Sequence, residues 1–353
     1  MGGRLDGGII ITKHGHAQGP IGSLLIREAG HPVPDQDTFS ATEEALALTD
    51  GLTAEDTVLF LLSGGGSALF EAPLVPQEEL QSITQSLLAS GADIVEMNTI
   101  RKRLSAVKGG RFAQHCAPAK VFSIVLSDII GDPLDMIASG PAYPDSSTCA
   151  DARRIAEQYG LRLSPEASQC LERETPKVLD NVETLITGSV RELCAAASAA
   201  CRELGYEPVL LTDSLDCEAR EAGAFLAAVA RAHQNTEHSL AFLAGGETVV
   251  HLTGSGLGGR NQELALSAAA GIAGLENTAV FSVGSDGTDG PTDAAGGFVD
   301  GGTKERLARQ GVRIFEVLKN NDAYHALAAC GGLLHTGATG TNVNDVAVLL
   351  IHR

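Results

Sequence analysis

Thr57-Val58-Leu59-Phe60-Leu61-Leu62 is an unbroken apolar and β-branched run that stops at Ser63-Gly64-Gly65-Gly66-Ser67. Such a run reads as a strand buried on both faces of a sheet. Three glycines in succession let the backbone turn tightly and approach a ligand with no Cβ in the way. Their N–H groups, with a serine hydroxyl on either side, can converge on an anion. The alternative is a glycine-rich strand-to-helix turn with no ligand. In an open α/β sheet, ligands bind at the carboxyl ends of strands, and this loop falls at one.

The same punctuation recurs along the chain. Val121 to Leu126 predicts a second buried strand, followed by Ser127-Asp128-Ile129-Ile130-Gly131-Asp132. Asp128 and Asp132 there could hold Mg²⁺, which needs only one or two protein carboxylates, or could cap turns. Ala279 to Val283 predicts a strand that opens into Asp286-Gly287-Thr288-Asp289-Gly290-Pro291-Thr292-Asp293. That spacing is not an EF-hand, and it reads as a polar rim for a small ligand or Mg²⁺. Asn320-Asn321-Asp322 and Thr336 to Asp345 are two more polar loops, and Val346 to Ile351 predicts a closing strand.

Leu240 to Leu243 and Thr248 to Thr253 predict strands, and Arg260-Asn261-Gln262-Glu263 opens a helix. Between them, Gly254, Gly256 and Gly259 fit G-x-G-x-x-G. The acid a dinucleotide site would need about 20 residues on is Glu276, which sits in a loop, so the fingerprint is weak. Arg260 at the loop exit is better explained as a clamp for carboxylate or phosphate.

The chain has 353 residues, too many for one ordinary core, and two domains are expected with a boundary near the end of the charged 151–180 stretch. A net charge of −19 argues against nucleic acid and anionic membrane surfaces as partners. Against it, Asn98-Thr99-Ile100-Arg101-Lys102-Arg103 and Lys108 form a local basic stretch. That suggests an anionic substrate, or else a solvated helix face. Lys108, before Gly109-Gly110, suits a phosphate clamp. His14 and His16, two apart after the strand Gly7 to Thr12, could bind a metal but have no third ligand nearby in sequence; a polar loop is the alternative. Ser40 with Glu43 predicts a helix capping box, and Pro76 to Ser90 a further amphipathic helix. Seven scattered cysteines, none in a CxxC pair, read as reduced thiols of a cytoplasmic protein. No apolar stretch approaches the length of a membrane span.

These motifs together resemble the two-domain glycerate 2-kinases with a C-terminal MOFRL domain. The resemblance is carried by Ala29-Gly30-His31-Pro32-Val33-Pro34-Asp35, Leu62 to Ala68, Asn98 to Gly110, Ser127-Asp128 with Gly131-Asp132, and Ile137 to Pro141. In the second half it is carried by Gly258 to Leu264, Asp286 to Asp293, Asn320 to Asp322 and Thr339 to Asp345. It implies an α/β fold of two domains: an α/β/α Rossmann-like domain over 1–178 and a mixed α/β domain over 179–353, with a MOFRL core about 238–353. It implies ATP-dependent phosphorylation of D-glycerate to 2-phospho-D-glycerate with Mg²⁺, in a cleft between the domains. Ser63–Ser67 and Asp286–Asp293, each at the carboxyl end of a predicted strand, are expected to face each other across it. It also implies an earlier strand and a lysine-bearing Gly-Lys-Ala-Ala turn ahead of residue 1.

Mapped on this chain, the implied catalytic residues are Lys108, Arg260 and Asp128. Ser63, Gly64, Gly65, Gly66 and Ser67 would bind nucleotide phosphates. Asn98, Arg101, Asp286, Asp289 and Asn321 would bind substrate, and Asp132 and Asp293 the metal. The partners are then a small hydroxy acid and a nucleotide, and a homodimer is compatible with them. Two other readings stay open: an NAD(P)-dependent hydroxypyruvate reductase, resting on Gly254, Gly256 and Gly259, and a ligand-binding remnant without activity.

Overall fold

The computed structural model describes residues 5–127, 129–131 and 133–353. The chain divides into two compact units. The first runs to Leu126 and takes in Pro133–Thr187; the second is built on Gly188–Arg353, and Ser127 is tied to it by its N–H to Gly188 O at 2.8 Å.

In the first unit β1 (Ile9–Lys13) pairs in parallel with β2 (Leu25–Ala29), and α1 (Gln36–Leu48) follows. The cap of α1 differs from the expectation. Asp35, not Ser40, is the N-cap, and Thr38 completes the reciprocal pair. Pro34 holds the approach extended, so the helix begins one turn earlier and Ser40 lies within it. β3 (Thr57–Leu62) then leads through the glycine loop into the single turn α2 (Gly66–Leu69). α3 (Gln77–Ala89), α4 (Ile94–Arg103) and α5 (Arg111–Cys116) precede β4 (Lys120–Leu126). α6 (Cys149–Gln158), α7 (Pro165–Leu171) and β5 (Val182–Gly188) complete the unit, with sheet order β3-β4-β5.

β3 is not buried on both faces as its composition predicts: Leu61 is 66% exposed. Alternate residues face opposite sides of a strand. Phe60 takes the inner side, where its ring lies 5.8 Å from Phe70 and 4.9 Å from Phe112. Val58 and Val121 join this cluster. Burying each such aromatic contributes about 1.5–3 kcal/mol, and the parallel ladder to β4 holds the strand along its length.

The second unit runs α8 (Val190–Glu203), β6 (Glu207–Leu215), α9 (Ala219–Ala232), β7 (Leu240–Gly246), α10 (Arg260–Gly271), β8 (Thr278–Gly284) and β9 (Gly296–Asp300). α11 (Thr303–Arg309), α12 (Ile314–Lys319), α13 (Ala323–Cys330), β10 (Leu333–Leu334) and β11 (Asp345–Ile351) close it. Its sheet has the order β10-β9-β8-β11-β7-β6. β11 sits centrally and runs antiparallel to both β7 and β8, which explains its near-continuous apolar sequence. Leu264, Ala265, Ala268 and Ala269 of α10 lie in one core cluster with Leu226 and Ala227 of α9. Gly223 allows the close crossing, since a Cβ there would overlap Leu264 O. Small residues thus press α10 onto the sheet and fix where its first turn emerges. No helix among the described residues is long and apolar enough to cross a membrane.

Candidate functional site

The first turn of α10 gathers much of the chemistry of the second unit. The loop into it is not a strand over Thr248–Thr253. Val249 N donates to Cys217 O, Ala219 N donates to Val249 O, and Thr253 N is taken by Asn321 Oδ1 at 2.7 Å. With its backbone groups tied to α9's approach and to the Asn321 side chain, the stretch has no ladder to join. The glycines that follow serve contact: a Cβ at Gly254 would overlap the Asn320 backbone, one at Gly256 the Asp322 side chain, and one at Gly259 the Asp289 carboxyl group.

Asp289 occupies the amino end of α10. Its carboxylate accepts from Asn261 N at 3.1 Å and Gln262 N at 2.9 Å. Asp289 is 3% exposed. Burial pushes it up to about 6, while the same N–H groups act in the opposite direction. A pyrophosphate on a dinucleotide loop would need those amides, and the protein's own carboxylate already holds them.

Arg260, next in sequence, is clamped by two acids. Its Nε donates to Asp345 Oδ2 at 2.5 Å and its Nη2 to Asp345 Oδ1 at 3.1 Å. Nη1 lies 2.9 Å from Glu247 Oε1. Asn344 Nδ2 donates to the other Glu247 oxygen at 3.2 Å. Burial disfavours the charge, but the Asp345 and Glu247 carboxylates outweigh it and hold the guanidinium protonated. Arg260 remains about one-third exposed, so its charge is oriented without being shut in.

Asp345 and Glu247 are site residues that sequence reasoning did not single out. Each is an acid at a strand end. The antiparallel register pairs Asp345 with Gly246, which sets Glu247 beside it. That pairing spans about a hundred residues and leaves no local trace.

The other candidates of this unit divide. Asp286 turns back on Thr288, accepting from its N and Oγ1 at 2.9 Å each. Asp293 is exposed and accepts from Tyr324 Oη at 2.7 Å. Carboxylate oxygens keep further lone pairs beyond such bonds, so both remain able to meet a cation. Asn321 is buried, with φ at +54°. Its Oδ1 accepts from Thr253 N and Gly254 N, and its Nδ2 donates to His251 O and Glu263 Oε2. Those bonds fix the loop ahead of Arg260.

In the first unit Ser63 and Gly64 are exposed, Gly65 has φ +86°, and Gly66 is buried against Ala138. Ala138 and Ser139 themselves have positive φ, at 50° and 61°. Such backbone in non-glycine residues is sparsely populated and clusters at functional sites. Ser67 Oγ lies 3.3 Å from Ser139 Oγ, and Ser139 donates to Asn98 Oδ1 at 3.0 Å. Asn98 therefore reaches the glycine loop through Ser139.

Lys108 is fully buried. Its Nζ donates to Ser67 O at 2.8 Å and Phe70 O at 3.0 Å, with Glu71 Oε2 at 3.4 Å. Burial pulls Lys108 down and Glu71 pulls it back. It stands behind the loop and ties its carbonyls.

The basic run on α4 is neither a solvated face nor a cluster open to ligand. Lys102 is buried between Asp145 at 3.0 Å and Asp135 at 3.3 Å. Arg103 is buried against Ser147 O, Arg173 O and Glu174. Arg101 alone of the three stays partly exposed. Asp128 and Asp132 lie outside the described residues.

Two domains of known families match the chain: a domain of unknown function, DUF4147, over residues 2–172 and the MOFRL family over residues 240–345. The chain is 53% identical to the D-glycerate 2-kinase of Thermotoga maritima, over 99% of this chain and 86% of that one. It is 38% identical to the glycerate 2-kinase of Pyrococcus horikoshii, over 98% of this chain and 82% of that one. The crystal structure of the Thermotoga maritima glycerate kinase superposes with a TM-score of 0.95, covering 98% of this chain and 85% of that one. Fold and relatives define a two-domain kinase of the DUF4147–MOFRL type. The chain belongs to the glycerate 2-kinase family.

Proposed function

We propose that this protein transfers the terminal phosphoryl group of ATP to the 2-hydroxyl of D-glycerate. The observation that carries the reading is the 53% identity to a D-glycerate 2-kinase across nearly the whole chain. The chemistry of the residues supports it. Phosphoryl transfer is mostly positioning and charge neutralisation. Arg260, oriented by Asp345 and Glu247, presents a fixed fork to a carboxylate or to the transferring group. The Ser63–Gly65 amides receive nucleotide phosphates, with Lys108 holding the loop from behind. Asp293, exposed and with lone pairs to spare, would be one of the few protein ligands Mg²⁺ needs, where the ion would neutralise phosphate charge; Asp286 would meet the substrate. Asp289 keeps α10, and with it Arg260, in place.

Arg101, Asn98 and Asn321 shape the surroundings of these groups, and Asp128 and Asp132 add carboxylates by sequence. All seven cysteines are unpaired, which supports a reducing, cytoplasmic setting. A nicotinamide-dependent reductase has less support, because Asp289 holds the amides its pyrophosphate would need. An assay with both couples separates the two. Kinase activity releases ADP with D-glycerate and ATP; a reductase consumes NADH with hydroxypyruvate.

A further inference from the structure

The histidines after β1 are a sequence motif that phosphoryl transfer leaves unused. The structure supplies His14 with partners that sequence spacing does not. Its backbone N–H donates to Ala29 O at 3.1 Å and so extends the β1–β2 ladder. Its Nε2 lies 2.8 Å from Asp35 Oδ2 and 3.8 Å from Asp37 Oδ2. One ligand atom from each of the three side chains lies within 4.8 Å of the others. Donors bound to one ion at about 2.0–2.2 Å with tetrahedral angles stand about 3.4 Å apart, which these separations bracket.

The set is not a simple acidic patch. It joins an imidazole from the end of β1 to two carboxylates from the start of α1. Asp35 is oriented by its capping role: Oδ1 accepts from Thr38 N at 2.9 Å and Gly30 N at 3.0 Å, while Oδ2 faces His14. Asp37 is exposed, in the first turn of α1, and takes no part in the cap. Glu28 adds a further carboxylate charge acting on His14.

We propose that His14, Asp35 and Asp37 form a binding site for one divalent transition-metal ion, with Zn²⁺ the best match. Imidazole suits zinc, nickel and copper better than magnesium or calcium. The open geometry leaves room for water to complete the shell. Without metal, the same atoms form the His14–Asp35 hydrogen bond. The ion would take the Nε2 lone pair of the neutral imidazole.

The test titrates Zn²⁺, and Co²⁺ as its spectroscopic substitute, into the full chain in chelator-free buffer. The expected result is one ion per chain, a nitrogen- and oxygen-ligand Co²⁺ spectrum, and binding weaker by about tenfold or more in His14→Ala and in Asp37→Asn. Both substitutions sit at exposed positions outside the helix cap, and circular dichroism verifies their fold. Three outcomes overturn the proposal: no binding, binding that both variants leave unchanged, or a thiolate charge-transfer band that places the ion on cysteine. The site is independent of the kinase reading.

Discussion

Arg260 and Asp345 meet side-on as a bidentate pair, with Nε and Nη2 of one on the two carboxylate oxygens of the other. Glu247 takes the third nitrogen at 2.9 Å. The arginine opens α10 and the aspartate opens β11, so the pair locks a helix start to the central strand. Asp345→Asn leaves Arg260 charged but less firmly aimed. Charge-assisted hydrogen bonds of this kind contribute about 1.5–3 kcal/mol, so kcat/KM with glycerate should fall about tenfold to a hundredfold. Steady-state kinetics read the loss, and Asp345→Glu should restore part of it. Unchanged kinetics in Asp345→Asn would remove the positioning role.

Asp289→Asn weakens the anchor of α10, because its amide group turns an N–H toward a backbone N–H. Leaving one of the two buried backbone donors without its acceptor costs about 1–3 kcal/mol, read by urea unfolding at neutral pH. The pH dependence carries a second signature. The carboxyl of Asp289 is raised to about 6 in the fold, above the unfolded value of about 3.9. Between those values the native state binds the extra proton, so stability falls as pH rises from about 4 to 6 and is level above that. In Asp289→Asn this component of the slope should vanish. A slope identical to that of the unsubstituted protein would show that another group titrates.

Lys108 and Glu71 form a buried pair beneath the glycine loop. Lys108→Met leaves the Glu71 charge without its partner and should cost about 3–5 kcal/mol. Lys108→Met with Glu71→Leu should recover part of that loss. Denaturant midpoints of the two singles and the double decide it, and a double as unstable as the sum of the singles would contradict the pairing.

Gly66→Ala tests the loop itself. The new Cβ would stand 2.6 Å from Ala138 Cβ, whose own backbone is held at positive φ. Overpacking of this order costs about 1–3 kcal/mol, and here it falls on the loop assigned to nucleotide phosphates. The expected outcome is a raised KM for ATP with little change in KM for glycerate. Equal changes in both would assign the loop no separate role.

What could be read ahead of the structure followed from locality. The β3 run and its glycine stop, the helix opened by Arg260, and the apolar β11 all declare themselves within a dozen residues. Local signals also mislead: Ser40 with Glu43 imitates a capping box, yet Asp35 and Thr38 form the real one behind Pro34. Non-local pairing was out of reach. Lys102 and Arg103 look like a solvated or ligand-facing basic run until Asp135, Asp145 and the Ser147 carbonyl fold over them. Glu247 and Asp345 look unremarkable until the β7–β11 register sets them at Arg260. Leu61 shows the converse, since an apolar sequence predicted a second buried face that is open here.

The most direct test is phosphorus NMR of the reaction itself. The chain and its Arg260→Lys variant are each incubated with ATP, Mg²⁺ and D-glycerate, and the products are followed in time. The prediction is ADP and 2-phosphoglycerate in equal amounts from the unsubstituted chain. Arg260→Lys should keep its fold but lose about tenfold or more in kcat/KM, because lysine keeps the charge and loses the fork. Formation of a phosphorylated product at the same rate by both would contradict the role given to Arg260. No phosphorylated glycerate at all, with NADH consumed in the presence of hydroxypyruvate, would contradict the kinase reading.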